Sequence, residues 1–131
     1  MSNAIEFLKS CKTFHVATVE GNQPRVRPFG AVAEYNGKTY ICTNNKKNVF
    51  KQIQSNSKVE ICGIAPDGKW IRITAEAIAD PDRAAKAEML EANPSLKGMY
   101  SLDDDIFEVL YLKDATAVIS SFTGKPETFS F

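Results

Sequence analysis

The sequence predicts a mainly β protein, a small antiparallel barrel with short α-helical additions. Short runs of period-two apolar alternation recur along the chain, separated by turn signals such as Glu20-Gly21-Asn22-Gln23 and Pro66-Asp67-Gly68. Asn36-Gly37, between two such runs, is the strongest short hairpin signal a sequence offers. Helical spacing is confined to the first residues and to the stretches after Thr43 and Asp80. Strands and crossover helices therefore do not alternate, and no GxGxxG follows the first strand, which excludes a doubly wound sheet.

Ala4 to Ser10 places Ile5, Phe7 and Leu8 at helical spacing, with Ser2 or Asn3 as the cap. From Thr13 to Val19 the period changes: Phe14, Val16 and Thr18 share one face of a strand, His15, Ala17 and Val19 the other. Pro24 to Tyr35 is expected to be a second strand, and the Asn36-Gly37 turn returns it as a third over Thr39 to Thr43. Val49, Phe50 and Ile53 form the apolar stripe of a helix ending near Asn56. Lys58 to Ile64 is a fourth strand and Lys69 to Ile78 a fifth, with Ile71, Ile73, Ala75 and Ala77 on its core face. Asp80 is placed to cap a helix with Pro81 at its first position, stopped near Ala92 by Asn93-Pro94. An irregular connection over Leu96 to Asp105 leads to strands at Phe107 to Leu112 and Thr116 to Ser121, around Lys113-Asp114.

At 131 residues the chain has the length of one domain, so residues 1–131 are expected to form a single unit with a real core. Sixteen basic residues balance sixteen acidic ones, which argues against nucleic acid or an anionic membrane as a partner. Cys11, Cys42 and Cys62 are odd in number and lack a CxxC pair, as expected of reduced thiols in the cytoplasm rather than a disulfide framework or zinc site. No apolar run approaches the roughly 20 residues of a membrane helix, and Met1 to Ser10 lacks the pattern of a signal peptide. Among chemical motifs, GxSxG, HExxH and the Walker GxxxxGK[ST] are all absent. His15 is the only histidine, and the Asp103-Asp104-Asp105 run lacks the alternating spacing of a calcium loop, so no metal site is expected.

Thr39 to Ile53 carries the strongest chemical signal. A strand runs directly into a helix through Asn44, Asn45, Lys46 and Lys47. The first amides of a helix lack partners and make its start positive, so lysines there cost roughly 0.3–1 kcal/mol each unless an anion lies between them. Phosphate suits such a position. Arg25 and Arg27, two apart on the second strand, leave the same face in line with Phe29, and guanidinium forks match phosphate. The Asn36-Gly37 hairpin is expected to lay this strand beside the third, gathering both arginines, Thr43, Lys46 and Lys47 around a phosphorylated ligand with an apolar or aromatic body.

These residues resemble the flavin-binding split barrels related to pyridoxamine 5'-phosphate oxidase, over most of the chain. The resemblance is carried by Arg25-Val26-Arg27-Pro28-Phe29, by Ile41-Cys42-Thr43-Asn44-Asn45-Lys46-Lys47, by Ser55-Asn56-Ser57-Lys58-Val59-Glu60, and by Lys69-Trp70-Ile71-Arg72-Ile73-Thr74-Ala75-Glu76-Ala77. It implies a split β-barrel of Greek-key type with short peripheral helices. It further implies that Lys46 and Lys47, with Arg25 or Arg27, hold the phosphate of flavin mononucleotide (FMN). Asn45 stands where the family has a serine before the basic pair. The backbone of Arg27 to Gly30, including Pro28 and Phe29, and the side chain of Thr43 would line the ring, with Trp70 near it from the same or the partner subunit.

The same resemblance implies a homodimer with two flavin sites at the subunit interface. Vitamin B6 oxidases grip their substrate with a C-terminal arginine and histidine, whereas this chain has no histidine after His15 and closes on Thr128-Phe129-Ser130-Phe131. The short, nitroimidazole-reductase-like relatives are the nearer comparison. The expectation is an FMN-dependent oxidoreductase working between a reduced nicotinamide or similar donor and a small-molecule acceptor, with no catalytic side chain assigned. The alternative is a non-catalytic module holding a flavin, haem or deazaflavin. Met99, Tyr100 and Trp70 would lie on the substrate side.

Overall fold

The computed structural model describes residues 3–131. The chain folds as β sheet with three α-helices, in the order α1 (Asn3–Cys11), β1 (Phe14–Glu20), β2 (Gln23–Phe29), β3 (Val32–Tyr35), β4 (Lys38–Asn44), α2 (Asn48–Ser55), β5 (Lys58–Ile64), β6 (Trp70–Asp80), α3 (Arg83–Ala92), β7 (Phe107–Ser120) and β8 (Glu127–Ser130). Helix α1 packs Ile5 and Leu8 inward as its spacing predicts, with Ala4 beside them and Phe7 only partly buried. Ser2, one of its two candidate caps, lies outside the described residues.

All eight strands belong to one antiparallel sheet with the path β2-β1-β5-β6-β7-β4-β3, and β8 adds to β7. The expected second strand is two strands. Pairing with β1 runs through Pro28 to Phe29, stops at Gly30, which has no side chain to pack, and resumes at Val32 with β4. On one side of the break β2 pairs with β1, from Phe14 opposite Phe29 to Glu20 opposite Gln23; on the other, β3 pairs with β4. Because β2 and β3 are the two ends of the sheet path, Gly30 and Ala31 carry the chain from one edge of the sheet to the other. The sheet curls until its edges meet at this crossing without closing, which makes the split of a split barrel. The Asn36-Gly37 turn forms as predicted, with both residues at positive φ (52° and 76°), but it joins β3 to β4.

Three other expectations shift. The helix cap is Asp82 rather than Asp80: its carboxylate accepts from the Ala84 N–H at 2.9 Å. Asp80 ends β6 opposite Val109 and accepts instead from the Tyr40 hydroxyl at 2.7 Å. Lys113-Asp114 does not separate two strands but lies within β7, where Asp114 and Ala115 both face Ala75 between the pairs Thr74–Thr116 and Glu76–Lys113. This β-bulge puts Asp114 at φ 52° and bends the long strand. After α3, a 3-10 turn over Pro94–Gly98 opens what the sequence left irregular.

Two apolar clusters result. The barrel interior holds Ile5, Leu8, Phe14, Val16, Ile41, Ile61, Ile71, Ile73 and Leu110. A second cluster under α3 holds Ala31, Ala33, Tyr40, Met89, Phe107 and Val109. Their seam runs past the β2–β3 crossing. No helix among the described residues is long and apolar enough to cross a membrane.

Candidate functional site

A cleft of about 340 Å³ opens at that seam. One wall is the crossing itself, Arg27 to Ala31; the floor is Cys42 and Thr43 near the end of β4, with Lys47 and Val49 at the start of α2. The opposite wall comes from the end of α3 and the 3-10 turn, chiefly Asn93, Leu96, Met99 and Tyr100. Asn93 anchors this wall, donating to the Val32 carbonyl at 3.1 Å across the seam.

Two polar side chains of the cleft, Thr43 and Lys47, lack a hydrogen-bond or ion-pair partner among the described residues. Thr43 is 4% exposed, and its hydroxyl has no hydrogen-bond partner among the described residues. A buried polar atom left unmade costs roughly 1–3 kcal/mol, so this hydroxyl, on a residue that lines the cleft, is a group that a bound ligand atom would satisfy. Lys47 is the N-cap of helix α2, which has no side-chain cap and no acidic residue in its first turn. Its open amides and the Lys47 ammonium leave a positive corner unanswered by any carboxylate on the helix. Beside it, burial pushes the Cys42 thiol up to about 12, partly offset by the charge of Lys47, so Cys42 is a neutral wall and not a nucleophile. The donor set fits an anionic, oxygen-rich group such as the phosphate of a flavin, and the apolar lining from Phe29, Ala31, Leu96 and Met99 fits the body attached to it.

The expected site residues divide. Arg27, Pro28, Phe29, Thr43 and Lys47 come together in the cleft. Arg27, however, is already engaged: one terminal nitrogen donates to the Val16 carbonyl and to Thr18 Oγ1, the other to Gln52 Oε1. Arg25 is turned away and pairs with Glu20 at 2.9 Å on the surface. The expectation that the Asn36-Gly37 hairpin delivers both arginines to the lysines is thus corrected: their strand pairs with β1, and Arg27 reaches the cleft by way of the crossing. Lys46 is exposed and outside the lining; its N–H donates to Asn44 Oδ1. Asn45 ties the junction to β7, donating to the Asp105 carbonyl and to Glu108 Oε2, both at 2.9 Å. Trp70 lies away from the cleft, its ring 5.1 Å from that of Phe122.

Other chemically suggestive residues are accounted for locally. His15 is exposed on β1 opposite Pro28 and Cys62, outside the lining. Asp103 pairs with Arg83, and Asp104 accepts from the N–H groups of Ser101, Ile106 and Phe107, shaping the loop that follows Tyr100. Sequence reasoning gave no role to Asn44, whose amide donates to the Tyr100 hydroxyl at 2.8 Å. Their separation of 56 positions leaves no local pattern by which to find the pair.

Known proteins share this architecture. A family model described as pyridoxamine 5'-phosphate oxidase matches residues 2–112. Among solved structures, a NimC/NimA family protein from Clostridium acetobutylicum is 57% identical, with a TM-score of 0.96 over 98% of this chain and 90% of that one. A pyridoxamine 5'-phosphate oxidase-related, FMN-binding protein from Nostoc punctiforme shares the fold at 13% identity, with a TM-score of 0.58 over 98% and 92% of the two chains. A haem-binding protein from Mycobacterium smegmatis does so at 16% identity, with a TM-score of 0.71 over 99% of this chain and 59% of that one. No curated protein matches.

Proposed function

Because this chain belongs to the pyridoxamine 5'-phosphate oxidase family, which its match over residues 2–112 and its 57% identity to a family structure establish, we propose that it is an FMN-dependent oxidoreductase. Its cofactor would lie in the cleft, with the phosphate at Lys47 and the open start of α2. The single observation that carries this reading is the buried hydroxyl of Thr43, a residue of the cleft's lining, which has no partner among the described residues. When bound, the flavin supplies the hydride or electron transfer, between a reduced nicotinamide or similar donor and a small-molecule acceptor.

The chain's part is binding, orientation and exclusion of water. Lys47 and the α2 amides would hold the phosphate, Thr43 would hydrogen-bond the ligand, and the backbone from Arg27 to Gly30 would border the ring. Arg27 sits at the edge of this group with its hydrogen bonds directed into the protein, and its charge adds to the positive corner. The cleft is smaller than a whole flavin needs for enclosure, which supports a homodimer in which a second copy covers the ring. Val26 and Met99, each 66% exposed, lie on β2 and at the cleft's rim and provide apolar surface for that contact. The three free cysteines accord with a cytoplasmic setting.

Purification tests the proposal directly. The protein is expected to be yellow or to take up added FMN, to sediment as a dimer, and to pass electrons from a reduced nicotinamide to a nitro compound or quinone in many turnovers. A colourless protein that binds no added flavin overturns it. Flavin bound and reduced without acceptor turnover replaces the enzyme with a storage or sensing module.

A further inference from the structure

The direction of the Tyr100 hydroxyl proton is limited by its neighbours. The backbone N–H of Lys46 donates to the side chain of Asn44 at 3.1 Å, so the atom it meets is the amide oxygen. The amide nitrogen of Asn44 is then the atom 2.8 Å from the Tyr100 hydroxyl. An NH₂ group donates only, and the Tyr100 oxygen must accept. The phenol's own hydrogen is left to point elsewhere, and no acceptor for it occurs among the described residues. The ring is held by stacking on Phe107, with centroids 4.9 Å apart and planes at 28°, and Tyr100 is one of the residues that line the cleft.

From this we infer that Tyr100 is a ligand-binding residue whose hydroxyl donates a hydrogen bond to an oxygen of the flavin held in the cleft. The inference rests on the flavin reading and adds to it a second side-chain donor. Asn44 acts as its positioning residue: by occupying the phenol's lone pair it turns the proton outward before the ligand arrives. The acceptor belongs either to the phosphate or to the ring and its ribityl chain, two oxygen sources with the same chemistry.

Equilibrium binding of FMN and of riboflavin to the flavin-free protein, followed by quenching of flavin fluorescence, tests this. Tyr100→Phe keeps the stacking on Phe107 and is expected to weaken FMN binding by about 5- to 10-fold, with thermal stability lowered no further than Asn44→Ala, which loses the same hydrogen bond, lowers it. A loss seen with FMN alone assigns the bond to the phosphate; an equal loss with riboflavin assigns it to the rest of the molecule. Asn44→Ala removes the same internal hydrogen bond but keeps the phenol, and is expected to weaken binding less. Equal losses in the two variants, or wild-type affinity in Tyr100→Phe, overturn the inference. Failure of the wild-type protein to bind either flavin overturns instead the reading on which it rests.

Discussion

Arg27 Nη2 donates to Gln52 Oε1 at 2.8 Å, joining strand β2 to helix α2 behind the cleft. Its other terminal nitrogen donates to Thr18 Oγ1 at 2.8 Å, and Thr18 in turn donates to the same Gln52 oxygen. Thr18 and Gln52 are 2% and 7% exposed, so their hydrogen bonds have little recourse to water. Arg27 is therefore a structural clamp as well as a cleft residue. Arg27→Ala is expected to lower unfolding free energy by about 2 kcal/mol, read from urea titration. Arg27→Lys should recover little of that loss, because one ammonium cannot serve strand and helix in the geometry of a fork. Wild-type stability in both variants would leave the clamp without energetic weight.

Lys47 is the contrasting case. It lines the cleft and makes no ion pair among the described residues, while Lys46 next to it lies outside the lining. Replacing Lys47 by Ala is expected to weaken FMN binding at least about tenfold, the scale of a charge-assisted contact to phosphate. Lys46→Ala should change it by less than about threefold, the scale of an exposed charge. Both variants should unfold like the wild type. Equal losses at the two positions would mean that the phosphate sits across the junction rather than in the cleft.

These predictions also show which parts were legible before the structure. Local features came through: the inward face of β6, the α1 stripe, the Asn36-Gly37 turn and the basic junction at α2 all follow from spacing within a few residues. Pairing partners did not, because strand order depends on contacts between distant positions. The unbroken strand expected over Pro24 to Tyr35 concealed the crossing at Gly30, and with it the fact that Arg25 faces Glu20. Strand β8 was missed since Glu127–Ser130 is short and only pairs at the sheet's edge. The opposing wall of the cleft, from Asn93 to Tyr100, carries no local motif. Its members are brought together by the Asn93 bond to Val32 and the Asn44 bond to Tyr100.

Thr43 allows a test in which stability and binding move in opposite directions. Its buried hydroxyl has no hydrogen-bond partner among the described residues. Thr43→Val keeps the shape and removes the unsatisfied atom, so the flavin-free variant is expected to gain about 1 kcal/mol of stability while binding FMN several-fold more weakly. Differential scanning calorimetry with and without flavin reads both. A loss of stability in the flavin-free variant would show that the hydroxyl has a partner in the protein.

The Tyr40 hydroxyl, bonded to Asp80 at 2.7 Å, should be visible in the alkaline limb of stability. Burial first, then the hydrogen bond and charge of Asp80, raise the Tyr40 phenol above its ordinary value. The folded state thus holds this proton more tightly than the unfolded chain. The resulting stability is fully present below about pH 10, the unfolded value, and is lost as pH rises through the folded one. Tyr40→Phe is expected to cost about 1 kcal/mol at neutral pH, with the gap to wild type shrinking above about pH 10. The contribution of Cys42 is common to both proteins and cancels in the difference. A gap independent of pH would sink the assignment.

The cysteines offer a chemical readout of the same cleft. Cys62 is exposed on β5, whereas Cys42 forms part of the cleft floor with its thiol pushed up to about 12 by burial. Only the thiolate reacts with an alkylating agent, and at pH 7.5 Cys42 has almost none. Limited iodoacetamide treatment followed by peptide mass spectrometry is expected to modify Cys62 well before Cys42. Raising the pH toward 9 should leave Cys42 slow, because both its access and its ionisation are restricted. The neighbouring Lys47 charge lowers the thiol's value, so Lys47→Ala should slow Cys42 further rather than expose it. Preferential labelling of Cys42 at neutral pH would mean an activated thiol in the cleft, and a chemistry that a flavin does not require.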